Sequence, residues 1–317
     1  MRFRLVSGWS AAVILLLEFA FFAVILAPSD GGPHTFANLG NVALILKYSS
    51  IYGIGAIGAA MIIGAGGIDL APGSVIALAS VVTGHLFVVS GWPLAASCAL
   101  ALLAGVVCGG LAATLIVGVR LPPFIATLGV MGIARGTAFL ITEGRFYDLS
   151  SRLPAGTAPL GVPLSVWPGL LMVTLAIVFH TAMVRMAVGR HILATGGNEQ
   201  AARYAGVHVN RVKAGVYVIG GALSALSGVV LAVVQGQGKA DLATGYELDI
   251  IAAAVVGGAS LSGGRASVAG AVIGSLIFGV LRNALAQIPG GTFADRLILG
   301  VAVLVIVVMD RIATREG

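Results

Sequence analysis

Charged side chains are scarce in this 317-residue sequence. Asp, Glu, Lys and Arg make up only 9% of it, whereas hydrophobic residues make up 58%. A soluble globular domain carries about 25% charged residues, so this chain lacks the polar groups needed to cover a surface that faces water. The composition excludes a soluble domain and predicts a protein that lies largely in membrane lipid, with no nucleic acid among its partners.

The sequence also has few residues suited to catalysis or metal binding. Its two cysteines, Cys98 and Cys108, lack the spacing of a metal site and are expected to be inert packing thiols. No H-E-x-x-H or G-x-S-x-G motif occurs. A G-x-G-x-x-G match at Gly53–Gly58 falls inside an apolar run, where helix packing explains it better than nucleotide binding. We predict no catalytic residues, no metal site and no cofactor bound by this chain.

Long apolar runs are abundant instead. About 20 apolar residues are needed for a helix to cross the hydrocarbon core. The runs lie at 9–27, 39–64, 72–90, 93–118, 123–141, 164–184, 214–235, 248–264, 267–288 and 293–309. We therefore predict one all-α membrane domain over residues 1–317 with about ten transmembrane helices. The first run is long and no A-x-A cleavage site follows it, which favours an uncleaved helix over a signal peptide.

The distribution of basic residues predicts the orientation of the chain. The net charge is +6, and cytoplasmic loops of membrane proteins are enriched in Lys and Arg. With the N-terminus inside, the predicted inner segments hold Arg2, Arg4, Arg120, Arg185, Arg190, Arg203, Arg211, Lys213, Arg265, Arg311 and Arg315. Ten crossings with both termini in the cytoplasm agree with this bias, whereas nine crossings would place the last two arginines outside.

The largest predicted segment outside the bilayer, residues 189–213, contains a short helix. Asn198 suits the N-cap, Glu199 the first turn and Gly206 the C′ position. A helix of about two turns is unstable alone, so it requires a surface to pack on. Its two alanines, Ala201 and Ala202, offer a flat face. The residues leave two interpretations open, namely docking into a groove of another protein and packing on its own domain.

The stretch IIGAGGIDLAPGSV, residues 62–75, interrupts the apolar pattern. Gly66-Gly67 and Pro72-Gly73 prevent a continuous helix, and Asp69 is costly in lipid unless it faces protein or water. Two interpretations remain open: a broken helix beside a permeation path, and a turn with Asp69 at the headgroups. A similar glycine-rich break at 255–267 is compatible with two related halves. Arg135 is the most deeply embedded cation and is expected to have a buried partner.

Four phrases occur in a distinctive order along the chain: GGIDLAPGSVIAL, LPPFIATLGVMGIARG, GRHILATGGNEQAARYAGV and YELDIIAAAVVGGASLSGGRASVAGAVIGSLIFGVLRNAL. Together, over roughly residues 40–310, they resemble the inner-membrane permease of bacterial ribose-type ATP-binding-cassette importers. The first phrase departs from the family pattern because Ala71 and Pro72 replace a Ser and a Val, which removes a hydroxyl and stiffens the break.

The resemblance implies a function and a set of partners. The chain would translocate a monosaccharide, a pentose such as ribose or xylose or a related small sugar, across the bacterial inner membrane. A periplasmic sugar-binding protein would deliver the sugar, a separate cytosolic ATPase would use ATP and Mg, and a second permease chain would complete a homo- or heterodimer. The family's ATPase-coupling segment matches Gly196, Gly197, Asn198, Glu199, Ala201, Ala202 and Gly206.

A translocation path needs polar side chains within the apolar runs. The candidates are Asp69, Thr127, Gln235 and Asn283. An alternative hypothesis is a stand-alone secondary transporter, in which Asp69 and Asp249 couple ions at broken helices. That alternative predicts uptake along an ion gradient without any ATPase.

Overall fold

Apolar helices account for most of the computed structural model, which describes residues 8–27, 36–153, 163, 165–291, 293–294, 297–298 and 300–301. The helices within this part are α1 (Gly8–Ile25), α2 (Leu39–Gly64), α3 (Pro72–Gly84), α4 (Leu94–Ala113), α5 (Pro123–Thr142), α6 (Trp167–Arg185), α7 (Ala187–Gly197), α8 (Glu199–Tyr204), α9 (Val209–Gln235), α10 (Tyr246–Val256) and α11 (Val268–Ala286). The turns His85–Val89 and Thr114–Gly118 extend α3 and α4 in a π-helical form.

Seven helices of the described residues are long and apolar enough to cross a membrane. They are Leu39–Gly64, Pro72–Val89, Leu94–Gly118, Pro123–Thr142, Trp167–Arg185, Val209–Gln235 and Val268–Ala286. Each coincides with a predicted run to within a few residues, which confirms an all-α multi-pass architecture. The first run also forms an apolar helix, α1, whose stretch Ser10–Ile25 is shorter.

The eighth predicted run, 248–264, differs from the prediction. Its helix α10 has 11 residues and ends at Val256, well short of the length needed to cross. Gly258, Gly263 and Gly264 then adopt positive φ angles in a non-helical segment, because glycine accepts this conformation without a steric penalty. Most of the tenth run, 293–309, and both termini lie outside the described residues.

The centre of the molecule is formed by α2 and α9. From Ser49 to Gly64 every residue of α2 is buried, and α9 is buried along most of its length beside α2, α3 and α4. Close approach depends on glycine: a Cβ added at Gly58 would lie 3.0 Å from the Gly220 Cα. The match at Gly53–Gly58 is therefore a packing surface, as predicted.

A two-stranded sheet closes the end of the molecule opposite α8. Strand β1 (Phe146–Asp148) pairs antiparallel with β2 (Gln237–Lys239), with Tyr147 opposite Gly238. The Tyr147 hydroxyl donates to the Ile141 carbonyl at 2.7 Å and lies 3.1 Å from His85 Nδ1. The sequence predicts no strand here, because three residues carry no periodic signal.

Candidate functional site

Helix α8 has the capping expected from its sequence. The Asn198 side chain accepts a hydrogen bond from the Ala201 amide at 2.9 Å. At the other end the Val207 amide donates to Ala202 O, the Gly206 amide donates to Arg203 O, and Gly206 has φ +83°. These two bonds form a Schellman motif. The predicted cap and stop are confirmed, and both ends of this six-residue helix are fixed by the chain itself.

Glu199 fastens α8 to the start of α9. Its carboxylate accepts from Lys213 Nζ at 2.5 Å and from Arg203 Nη2 at 2.8 Å. Arg203 Nη2 also donates to Asn210 Oδ1 at 2.8 Å. The hydrogen bond from Lys213, followed by that from Arg203, holds the pKa of the Glu199 carboxyl below its ordinary value. The helix therefore moves with α9 rather than as a loose loop.

The two alanines of α8 differ in exposure. Ala202 is buried and packs on this domain, whereas Ala201 is exposed. Tyr204 is 82% exposed, and Gln200 Nε2 donates to its hydroxyl at 3.2 Å. The two open interpretations both describe part of the helix: one face packs on its own domain, and the face with Gln200, Ala201 and Tyr204 is free in this structure.

Three glycine-rich turns meet beside α8. A Cβ at Gly196 would lie 2.1 Å from Gly64 O, 2.7 Å from Gly264 N and 2.8 Å from Gly66 N. The Gly264 amide also donates to Gly64 O at 3.1 Å. We call this contact of the turns at 64–67, 196–197 and 263–264 the glycine junction. It joins the ends of α2 and α7 to the segment between α10 and α11 through backbone atoms alone.

The break between α2 and α3 is held by hydrogen bonds to protein groups, and its carboxylate is buried. Asp69 is 8% exposed and its Oδ1 accepts from the Ala71 amide at 2.9 Å. The fully buried Thr127 of α5 accepts from the Leu70 amide at 3.1 Å, and the Tyr217 hydroxyl of α9 donates to Ile68 O at 3.3 Å. Two predicted path residues, Asp69 and Thr127, thus meet at one break.

Arg135 has the buried partners that its position requires. Its Nη1 donates to Ala240 O at 2.6 Å and to Leu242 O at 2.7 Å, and its Nε contacts Ser74 Oγ at 3.3 Å. These partners are backbone groups between β2 and α10 and a side chain in the first turn of α3. No sequence motif pointed to them, because carbonyl acceptors exist at every residue and only the fold selects two.

The other predicted path residues lie elsewhere. Gln235 is exposed at the end of α9 near β2 and accepts from Gln237 Nε2 at 3.2 Å. Asn283 of α11 exchanges two side-chain hydrogen bonds of 2.8 Å with Asn41 of α2. The four candidates therefore do not form one cluster. Asn283 joins two helices, and Gln235 lies at the opposite end from Asp69.

Asp249 of α10 has a charged partner. Its Oδ2 lies 2.9 Å from Arg282 Nη2 of α11, with only 13% of the Asp249 side chain exposed. Arg282 Nη1 also donates to the Tyr52 hydroxyl of α2. The charge of Asp249 is therefore compensated within the protein.

Comparison of the sequence with known proteins identifies relatives of this chain. The family model described as "Branched-chain amino acid transport system / permease component" matches residues 41–308. The ribose import permease protein RbsC of Escherichia coli strain K12 is 34% identical over 302 residues, covering 92% of this chain and 91% of the relative. RbsC of Bacillus subtilis is 34% identical over 276 residues, covering 86% and 84%. No solved structure matches the chain significantly.

A relative named for the import of a different substrate is almost as similar. The autoinducer 2 import system permease protein LsrC of Photorhabdus luminescens is 30% identical over 302 residues, covering 95% of this chain and 88% of the relative. The chain belongs to this permease family: it is a multi-pass protein of the bacterial inner membrane and a permease of the ribose-type group of ATP-binding-cassette sugar importers.

Proposed function

We propose that the chain translocates a monosaccharide of the pentose class, or a closely related small sugar. A periplasmic binding protein delivers the sugar and a separate cytosolic ATPase drives its passage with ATP and Mg. The relatives named for ribose import support this substrate class. The chain itself supplies a path and a point of attachment for the ATPase, and no step of ATP hydrolysis.

The glycine junction is the observation that carries this proposal. Helix α8 offers an exposed face with Tyr204, while Gly196 contacts the broken segments at Gly64–Gly66 and Gly264 through backbone atoms. A force applied to α8 therefore reaches both breaks without a flexible side chain between them. Gly196 and Gly197 transmit motion in this mechanism, whereas Gln200, Ala201 and Tyr204 contact the ATPase.

A second permease chain fits the exposed face of α5. A Cβ at Gly129, Gly132 or Gly136 would meet nothing within 4 Å, so this face presents small residues to its surroundings, and Gly132 and Gly136 have the GxxxG spacing that brings membrane helices together. We propose that two copies, or this chain and a related one, pair through this face of α5.

The pairing is tested by a substitution on α5. Replacing Gly132 by Leu should shift the purified transporter from dimer to monomer. Gly110→Leu on α4 should not, although a Cβ there also meets nothing within 4 Å.

Docking is tested by two exposed positions on α8. Ala201→Arg and Tyr204→Ala should each reduce recovery of the ATPase with the affinity-tagged permease, while Ser151→Arg on the opposite side should leave recovery unchanged. Unchanged recovery in both α8 variants would refute docking.

The alternative, a secondary transporter, has its own test. Sugar uptake by the permease alone in liposomes along an ion gradient would favour it. The pairing of Asp249 with Arg282 argues against this alternative, because the Asp249 carboxylate already has a charged partner.

A further inference from the structure

A cavity of about 590 Å³ lies beside α8, between the end of α4 and the start of α9. One wall is apolar and comes from Ile116 and Val117 and from the turn Leu121–Pro123. This turn joins two membrane-spanning helices, Leu94–Gly118 and Pro123–Thr142. The cavity therefore lies at the depth where the bilayer changes from acyl chains to headgroups.

The charged part of the lining is mainly basic. It consists of Arg120, which precedes the turn Leu121–Pro123, and of Arg203 and Lys213, with Glu199 as the carboxylate among the lining residues. Glu199 is already bound to Arg203 and Lys213. The lining thus contains three cations and one anion, which leaves it with an excess of positive charge.

Arg120, which lines the cavity, has an unusual backbone conformation. Its φ is +63°, a conformation uncommon for a residue with a side chain and often retained at ligand sites. Its side chain is exposed, and its guanidinium forms no hydrogen bond or ion pair with the described residues. A strained cation beside an apolar wall is suited to an anion that also carries a hydrocarbon part.

We propose that this cavity binds an anionic phospholipid of the inner leaflet, with the phosphate against Arg120 and an acyl chain along Ile116 and Val117. Basic pockets between membrane helices on the cytoplasmic side recognise anionic headgroups. The residues flanking the turn fit this occupant, since Val119 and Phe124 are 61% and 52% exposed and apolar. Lys213 and Arg203 line the cavity and also bind Glu199 of α8. A lipid that orders these two side chains therefore also stabilises the position of α8.

The test is native mass spectrometry of the purified full chain with equal amounts of phosphatidylglycerol and phosphatidylcholine. Wild type should retain phosphatidylglycerol preferentially, and Arg120→Asn should weaken that preference roughly fivefold, the effect of one cation near a membrane surface. Asparagine tolerates positive φ, so the variant should fold. Arg120→Lys should keep the preference. Arg190→Asn, the same loss of charge on α7 outside the cavity, should also keep it.

Three results would overturn the proposal. The first is a wild-type protein with no preference for phosphatidylglycerol, which is independent of how any variant folds. The second is an equal loss in Arg190→Asn, which would indicate general surface charge. The third is efficient cross-linking of Arg120→Cys to the ATPase in the intact complex, which would make a protein the occupant. The first two use the permease alone, so they are independent of the proposed transport function.

Discussion

Arg135 illustrates how single residues hold together a chain whose helices are broken inside a membrane. A lipid-exposed carbonyl without a hydrogen bond costs several kcal/mol, and the segment between β2 and α10 is not helical. Arg135 satisfies two of its carbonyls and contacts Ser74 of α3. At the break before α3, Asp69 and Thr127 instead accept hydrogen bonds from the backbone amides of Ala71 and Leu70. The embedded polar residues thus support the backbone.

We expect Arg135→Met to destabilise the protein by about 2–6 kcal/mol, because two acceptors lose their donor and each buried unsatisfied group costs about 1–3 kcal/mol. Thermal unfolding in detergent measures the effect. Arg135→Lys should recover part of the stability, since one ammonium can reach at least one carbonyl. Arg145→Met, at an exposed position next to β1, is the control; equal destabilisation by it would contradict the role assigned to Arg135.

At the scale of elements, α8 is a short helix that its neighbours make rigid. Six residues cannot hold a helix alone. Here Asn198 caps the start, a Schellman motif ends it, and Glu199 binds Lys213 of α9. The glycine junction then attaches the preceding helix α7 to both breaks. Because α8 is held rigidly in this way, a displacement of α8 can reach α7 and the two breaks without being lost in flexible backbone.

Acidification should loosen α8 only at low pH. The pKa of Glu199 is lowered in the folded protein, so its stabilising contribution is fully present above the ordinary carboxyl pKa. That contribution is lost as the pH falls through the lowered pKa. Hydrogen exchange of residues 199–207, corrected for intrinsic rates, should therefore be constant from pH 7 to about 5 and rise below about 4. In Glu199→Gln this rise should be absent, and protection at pH 7 should already be lower.

Loss of the N-cap should affect the same element more directly. Asn198→Ala should destabilise α8 by about 1 kcal/mol, because the Ala201 amide loses its acceptor. Faster hydrogen exchange in residues 199–204 and weaker retention of the ATPase are the measurements. Asn198→Asp retains an acceptor and should behave like wild type; a loss in that variant equal to Asn198→Ala would show that capping is not the cause.

Transmission through the glycine junction has its own signature. Gly196→Ala should force the three turns apart, since its Cβ would lie 2.1 Å from Gly64 O, and overpacking of this kind costs about 1–3 kcal/mol. We expect the ATPase still to copurify while ATP hydrolysis no longer drives uptake. Gly215→Ala on α9, where a Cβ meets nothing within 4 Å, should leave both properties intact. Normal uptake by Gly196→Ala would contradict the proposed transmission.

For the whole molecule, the two ends differ in construction. One end carries α7, α8 and the glycine junction, and the other carries the β1–β2 pair. The loop arginines predict that the first end is cytoplasmic. Its attachment to the centre of the bundle through α2 and α9 means that a motion of α8 acts on the most buried helices.

Labelling with an impermeant thiol reagent tests this orientation. In spheroplasts, Tyr204→Cys should remain unlabelled until the membrane is permeabilised, whereas Phe146→Cys on β1 should be labelled at once. These positions are 82% and 59% exposed, so access to the reagent does not depend on local unfolding. The native Cys98 and Cys108 should be replaced by Ala first. Labelling of Tyr204→Cys in intact spheroplasts would contradict the proposed contact with the ATPase, because it would place α8 outside the cytoplasm.

Several features of the site were predictable because their causes are local. Asn198 and Gly206 mark the ends of α8 through side-chain and backbone chemistry that acts within a few residues. The burial of Ala202 against its own domain was not predictable, because helix periodicity does not say which side of a two-turn helix meets that domain. The eighth predicted run forms a helix of 11 residues instead of a full span, since its composition is largely apolar while Gly257 and Gly258 end the helix.

The sequence by itself determined the membrane environment, seven of its ten predicted spans and the positions of the breaks, because hydrophobic length and glycine and proline content act locally along the chain. Only the tertiary structure decided that Gly64, Gly196 and Gly264 touch and that Arg135 binds Ala240 and Leu242. These contacts join residues far apart in the chain, and their partners are backbone atoms, which are the same at every position and leave no mark in a sequence.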